Sequence, residues 1–374
     1  MPKRPTIPKK TVIELWTLFG GRCGYEGCNK ALWRDDLTLA KMNKAYIAHI
    51  YGLEPGSARY DSVQSPLMAT DISNLMLMCD EHHRLIDREG EDDHPVPQLQ
   101  IMKLIHEERI KLLTSIQPDK KSHIILYEAN IGQQSPMVNW EKVAIAMVPN
   151  RYPADKPAIE LGIWNSSFRD HEDIYWDNER EQLNRKFNEM IKPRFQNMPH
   201  LSIFAIAPQP LLIELGRLFS DIPASEVYQL HREPPDWVWQ DHPEGFEYNV
   251  SEPEAKFNSV ALNLSLSATI DNNRIADIIG INSSIWTVSI DDPNNDFLKS
   301  REQLLLFRQT FRRLMNRIKN IHGQNTILHV FPAAPVSIAV EIGRCWMPKA
   351  DMPMIIYDQN RKNDGFIKVF EIKP

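Results

Sequence analysis

Apolar residues recur along the first part of the chain at helical and strand spacings. Val12, Leu15, Trp16 and Phe19 fall on one face of a short helix, with Thr11 as its N-cap and Gly20-Gly21 as its stop. Ile47-Ala48-His49-Ile50 reads as a short strand interrupted by one histidine, and Asp80 to Asp87 as a helical run. Ile101, Leu104, Ile105, Ile110 and Leu113 predict a longer helix from Gln98 to Thr114 that closes this part, and Gln117 to Ser122 reads as a linker. The pattern therefore divides the chain into residues 1–120 and 121–374.

The second part alternates strand and helix, starting with a strand at His123–Tyr127. Ala158–Ile163, Arg180-Glu-Gln-Leu183, Leu201–Pro208 and Glu214-Leu-Gly-Arg217 have counterparts, in the same order, in Ile285–Ile290, Arg301-Glu-Gln-Leu304, Ile327–Pro335 and Glu341-Ile-Gly-Arg344. This predicts a duplicated Rossmann-like α/β unit, with halves at about 121–270 and 271–374.

Composition changes this picture little. With 42% hydrophobic and 25% charged residues and a net charge of -6, the 374-residue chain is ordinary for a soluble protein and is no bulk polycation. Nucleic-acid binding would need local patches; Lys3, Arg4, Lys9 and Lys10 form either such a patch or a solvated arm. No apolar run approaches the ~20 residues of a membrane span, and Met-Pro-Lys-Arg-Pro lacks the apolar core of a signal peptide. Three of the four cysteines fall in the first 80 residues, which points to metal ligation in a reducing cytoplasm rather than to disulfides. Cys345, in an apolar helical stretch, reads as a buried hydrophobe.

Cys23-x4-Cys28 supplies a glycine-containing turn that can aim two thiolates at one point, and Cys79-x2-His82 adds two more donors. Together they make a Cys3His set for a structural Zn2+, on which so small a domain would depend. His49 on its strand, Asn74 on the following loop and His83 on the helix then stand in the order of a ββα-metal motif. His94 and His106 fall outside this spacing and read as surface residues.

In these residues the first part resembles the HNH endonuclease family, with His82 where the second cysteine of the helix pair usually sits. The resemblance implies an α+β ββα-metal domain that hydrolyses DNA phosphodiesters. His49 would be the general base, since an imidazole can take a proton from water at neutral pH. His83 would hold a catalytic divalent cation, Mg2+ by default. Asn74 would orient His49 or complete the metal shell. Arg59 is either a phosphate clamp or an ordinary loop charge. Many family members carry Asp immediately before the catalytic His; here that residue is Ala48. Either Asp61 or another carboxylate substitutes, or the metal relies on His83, Asn74 and water.

In the second part no Gly-x-Gly-x2-Gly or Walker lysine is present, so neither a dinucleotide cofactor nor ATP hydrolysis is supported. Ligands of parallel α/β sheets gather at strand carboxyl ends that open into helix N-termini. These ends carry Gln209, Pro210, Leu211, Ala334, Pro335 and Ser337, with Lys349, Tyr357 and Gln359 as further contacts and Trp164 and His231 behind them. Phe204-Ala-Ile-Ala-Pro208, Tyr228-Gln-Leu-His231, Phe331-Pro-Ala-Ala-Pro335, Glu341-Ile-Gly-Arg344 and Tyr357-Asp-Gln359 resemble the SAVED domain, two fused CARF-like units that sense cyclic oligonucleotides. HNH joined to SAVED is similar to nuclease effectors of the cyclic-oligonucleotide-based anti-phage system (CBASS). The resemblance implies a bacterial cytoplasmic enzyme that cuts double-stranded DNA when a cGAMP-like cyclic dinucleotide drives it into a homo-oligomer, a tetramer. The rival is a non-catalytic, zinc-containing DNA-binding regulator under the same sensor, which would have no need of His49 and His83.

Overall fold

The computed structural model describes residues 5–163, 166–360 and 365–373; Lys3, Arg4 and Trp164 lie outside these. The chain forms two compact units, Met1–Gln117 and Pro118–Pro374.

The first unit opens with α1 (Lys9–Leu18), whose N-cap is Pro8 rather than Thr11 and whose end is turned by Gly20 and Gly21 at φ +57° and +65°. There follow β1 (Tyr46–His49), α2 (Gln64–Leu67), β2 (Leu75–Met78), α3 (Asp80–Arg84) and α4 (Val96–Thr114); α3 continues as one π turn over Leu85–Glu89. β1 and β2 pair antiparallel with His49 opposite Leu75. Leu15, Phe19, Leu32, Ala48, Ile86 and Leu99 close around β2 in a small core. Two histidines depart from expectation. His106 is buried, with Nε2 3.2 Å from the Phe19 carbonyl, where it anchors α4 to the end of α1. α4 accordingly turns Leu99, Met102, Lys103 and His106 inward, and the Ile101, Leu104, Ile105 and Leu113 stripe stays exposed. His94 is also buried, for a reason given below.

The second unit begins with β3 (Lys121–Glu128), α5 (Trp140–Ala146), β4 (Tyr152–Pro153), β5 (Ile159–Glu160), α6 (Asp173–Lys186), β6 (Leu201–Ile206), α7 (Gln209–Phe219) and β7 (Ser225–Val227). Its strands form a parallel sheet in the order β4-β3-β6-β7, with β5 also on β3. Then come β8 (Asn249–Ser251), β9 (Ser259–Ser265), α8 (Asn272–Ile279), β10 (Ser283–Ser289), α9 (Arg301–His322), β11 (Leu328–Ala333), α10 (Val336–Cys345), β12 (Met354–Asn360) and β13 (Gly365–Ile372). Here the order is β13-β12-β11-β9-β10-β8, parallel inside and antiparallel at both edges. Because β8 and β9 belong to this second sheet, the halves divide between Val227 and Asn249 and not near residue 270.

The halves meet where α7 crosses α10. A Cβ on Gly216 would lie 1.9 Å from the Val340 carbonyl oxygen, and one on Gly343 would lie 1.9 Å from that of Ile213, so only glycine allows the approach. Beside each glycine sits a Glu–Arg pair: Glu214, buried, with half-buried Arg217, and Glu341 with Arg344, both buried. A second arginine reaches each glutamate, Arg180 from α6 and Arg308 from α9. Arg180 and Arg308 each stand seven residues past the first residue of their helices, Asp173 and Arg301. The duplication is therefore genuine at Glu-x-Gly-Arg, but the Arg-Glu-Gln-Leu match is out of register by two turns. In the second half that motif is a helix start, where Ser300 and Gln303 form a capping box. Among the described residues no helix is long and apolar enough to cross a membrane.

Candidate functional sites

Cys23, Cys28, Cys79 and His82 bring their donor atoms within 4.8 Å of one another. The turn after α1 carries the first pair, and the step from β2 into α3 carries the second. Cys79 Sγ lies 3.2 Å and Cys23 Sγ 3.7 Å from His82 Nδ1, and the Cys79 N–H donates to Cys23 Sγ at 3.4 Å. Burial pushes the Cys23 thiol up to about 12, and the neighbouring cysteines add to the rise. A divalent cation among the donors would offset that cost, and three sulfurs with one imidazole suit zinc. The support around the ligands is built in. The Tyr25 ring stacks on His82 at 4.1 Å, its hydroxyl lies 3.0 Å from His94 Nε2, and His94 Nδ1 is 2.5 Å from the Gly90 carbonyl. His94 is buried because it braces this stack.

His49, at the end of β1, has Nε2 3.0 Å from the Ala69 carbonyl. A carbonyl accepts only from N–H, so a proton belongs on Nε2. Asn74 is buried; its Oδ1 accepts from Tyr51 N–H at 2.7 Å, and its Nδ2 donates to Tyr51 and Met68 carbonyls. It fixes the turn just after His49, and its oxygen is spent there rather than on a metal. Ala48 is 1% exposed and packs into the core, which leaves no room for a carboxylate at that position. Asp61 stands just before α2, where its Oδ1 accepts from Val63 and Gln64 N–H.

The carboxylate beside His83 is Asp87, with Oδ2 3.5 Å from His83 Nε2. Its i,i+4 spacing was readable in the sequence, although the π turn sets the geometry. Arg59 explains how strand and helix stay together. Its side chain is 5% exposed; Nε donates to the Ile50 carbonyl at 2.9 Å, Nη2 to the His49 carbonyl at 3.4 Å and to Asp87 Oδ1 at 2.6 Å, and Nη1 to the Ile86 carbonyl. With its donors so committed, Arg59 is neither a phosphate clamp nor a loose loop charge; it joins the His49 strand end to the His83–Asp87 helix. The chain reaches this point through a tight loop in which a Cβ on Gly52 would meet the Ala58 carbonyl at 2.2 Å.

In the second unit the expected ligand residues are mostly interior. Pro210, Leu211, Ala334, Pro335, Ser337 and Tyr357 are buried, as is His231. Tyr357 stacks on Phe331 at 4.3 Å, with its hydroxyl 2.9 Å from His329 Nδ1. The N–H groups at the start of α10 are already satisfied from the other half: Gln209 Oε1 accepts from Ala334 at 3.0 Å and Gln229 Oε1 from Ser337 at 3.3 Å. Gln209 is half-buried in that role, and only Lys349 and Gln359 are exposed. The surrounding strand ends are acidic. A pocket of about 180 Å³ beside β3 and β5 is lined by Glu128 and Glu160. Burial raises the pKa of Glu128 and Glu179, and burial followed by Asp170 pushes Asp358 up to about 7.

A larger cleft, about 440 Å³, opens on α9 beside the amino ends of β3, β6 and β7, where Lys120, Arg151, Trp239, Arg301 and Arg308 line it. None of these residues was expected from the sequence, because each comes from a different segment or helix turn with no shared motif.

Residues 183–372, just over half of the chain, match the family model described as the SMODS-associated and fused to various effectors sensor domain, SAVED. Among solved structures the chain is similar to an Acinetobacter baumannii Cap4 SAVED/CARF-domain containing receptor with the cyclic trinucleotide 2'3'3'-cAAA, at 14% identity and TM-score 0.43, covering 75% of this chain and 61% of that one. The same receptor with 3'3'3'-cAAA is similar at 12% identity and TM-score 0.43, covering 84% and 68%. A Moraxella osloensis Cap4 receptor is similar at 14% identity and TM-score 0.39, covering 74% and 60%. The chain thus spans about three fifths to two thirds of the length of these receptors. No curated protein matches it. By the family match, this chain belongs to the SAVED sensor-domain family.

Proposed function

We propose that the chain is a nuclease effector of CBASS type, in which binding of a cyclic oligonucleotide by the SAVED unit switches on DNA cleavage by the first unit. SAVED membership supports the sensing half. The observation that carries the nuclease half is the Arg59-bridged cluster, which ties the His49 strand end to a helix bearing His83 and Asp87. In this reading His49 Nδ1 takes the proton of the attacking water, and the Ala69 carbonyl holds the ring in the required tautomer. His83 and Asp87 hold a divalent cation, Mg2+ by default, which would supply charge stabilisation at the phosphate. Zinc at the Cys3His cluster keeps β2 and α3 in place.

A single small nuclease unit offers few phosphate contacts, so ligand-driven assembly of several copies, a tetramer, would add their affinities for one duplex. The exposed apolar stripe of α4 is a surface such an assembly could cover. A cyclic dinucleotide is the expected activator; the cyclic trinucleotides named for the Cap4 receptors place that class in the same test.

The test is incubation of purified protein with supercoiled plasmid, Mg2+ and a panel of cyclic di- and trinucleotides, with light scattering on the same samples. Fragmentation and a rise in mass with one panel member are expected. Plasmid left intact with every ligand, while DNA is retained, would favour a non-catalytic regulator.

A further inference from the structure

After the turn that carries Cys23 and Cys28, and before β1, the first unit folds back in a hairpin that neither the Cys3His cluster nor the His49 site uses. The Leu32 and Trp33 carbonyls accept from Lys44 N–H at 2.8 Å and Met42 N–H at 3.1 Å, and Arg34 pairs with Lys41 in an antiparallel bridge. Asp35 closes the tip. Its N–H donates to the Ala40 carbonyl at 2.9 Å, and its Oδ1 accepts from Leu37 N–H at 3.1 Å and Thr38 N–H at 2.9 Å.

This closed tip holds apolar side chains out into solvent. Leu37 is 92% exposed and Leu39 63%, and Trp33, Met42 and Tyr46 are exposed as well. None of them belongs to the core of the first unit. Leu39 also stands at φ +58°, in the left-handed region, where glycine would be free of the strain that a side chain brings. An exposed leucine on strained backbone helps neither packing nor the turn, so its side chain serves something outside the fold.

The place of the hairpin points to DNA. Its second arm runs into β1, and Tyr46, the first residue of β1, lays its ring on His83 with centroids 5.1 Å apart. His49 ends the same strand, about 10 Å further along it. A duplex with its scissile phosphate at His49 and His83 would therefore pass beside the hairpin. The charges fit a duplex: Arg34 lies 5.0 Å over the Trp33 ring, and Lys41 is exposed with no ion-pair partner among the described residues. Of the two acidic residues, Asp35 is committed to the tip and to Lys44, which leaves Asp36. A protein partner could also cover the apolar tip, but nothing would tie it to the His83 ring.

We propose that the 33–46 hairpin is a DNA wedge: Leu37 and Leu39 enter the minor groove and part a base step, while Arg34 and Lys41 meet the flanking phosphates. The proposal rests on the nuclease reading of the first unit and adds the element that grips and bends the duplex beside the cut.

The test is titration of the full chain, with each member of the cyclic-nucleotide panel and Ca2+ in place of Mg2+, onto short labelled duplexes carrying 2-aminopurine at successive positions. Anisotropy reads affinity, and 2-aminopurine fluorescence rises when its base is unstacked. The wild type should bind and raise the fluorescence at one region of the duplex. Leu37→Asp combined with Leu39→Asp should bind about tenfold more weakly and give no rise, and Lys41→Glu should weaken binding by about tenfold. Leu39→Gly should keep the melting midpoint of the first unit and still lose the fluorescence rise, which separates the wedge from a structural role. Ile281→Asp, at a site 87% exposed in the second unit, should stay within about twofold of the wild type. Wild-type affinity and fluorescence in the double leucine variant overturn the proposal. So does a double variant that binds DNA normally but no longer gains mass with the activator, which would make the tip a contact between proteins. If the wild type binds duplex but leaves plasmid intact in Mg2+, the nuclease reading fails while the same titration still decides the hairpin. No duplex binding by the wild type with any panel member removes the wedge.

Discussion

Arg59 and Cys79 show what single residues decide in the first unit. Arg59 could be read from the sequence as a phosphate ligand or a surface charge, and it is neither, because three backbone carbonyls and Asp87 take its donors. Nothing local marks this: the carbonyls belong to segments brought together only by the fold. The four donors of the Cys3His set were legible for the opposite reason. They come in two short pairs, one on a turn and one at a helix start, so sequence spacing nearly fixes geometry. Cys79→Ser should drop zinc from about one ion per chain to near none by elemental analysis and unfold the first unit at a lower temperature than the second. Unchanged zinc content would exclude Cys79 as a ligand.

At the level of elements, periodicity identified α4 but not its buried face. Ile101, Leu104, Ile105 and Leu113 face solvent, while Lys103 and His106 lie inside with Leu99 and Met102, Lys103 beside the Phe19 ring and His106 bonded to its carbonyl. A period locates a stripe; the partner decides what is buried. The α7–α10 crossing was readable at Glu-x-Gly-Arg, since each glycine and each ion pair has one structural role. Arg-Glu-Gln-Leu misled because a four-residue match ignores where a helix begins. Gly343→Ala sets a methyl against the Ile213 carbonyl and the Arg217 amide at 1.9 and 2.6 Å, distances no rotamer relieves. The expected loss is about 3 kcal/mol, a fall of roughly 6 °C or more in the melting midpoint of the second unit. An unchanged midpoint would show that the crossing is looser than described.

For the whole molecule, the division into a first unit that carries the Cys3His cluster and a duplicated α/β unit was legible from the change in pattern near residue 118. The boundary between the halves was not, because β8 and β9 lie before the apparent second repeat yet pair into its sheet. The residues that the motifs marked at the strand carboxyl ends are mostly buried, and the basic cleft on α9 draws on separate segments of both halves.

The account joins a sensor to a hydrolase, and one variant separates the two. His49 lies in the first unit, outside the SAVED match at residues 183–372. His49→Ala should bind the activating cyclic nucleotide with wild-type affinity and yet cleave plasmid more than about a hundredfold more slowly than the wild type at saturating ligand. Cleavage at the wild-type rate by the ligand-bound His49→Ala protein would contradict the account.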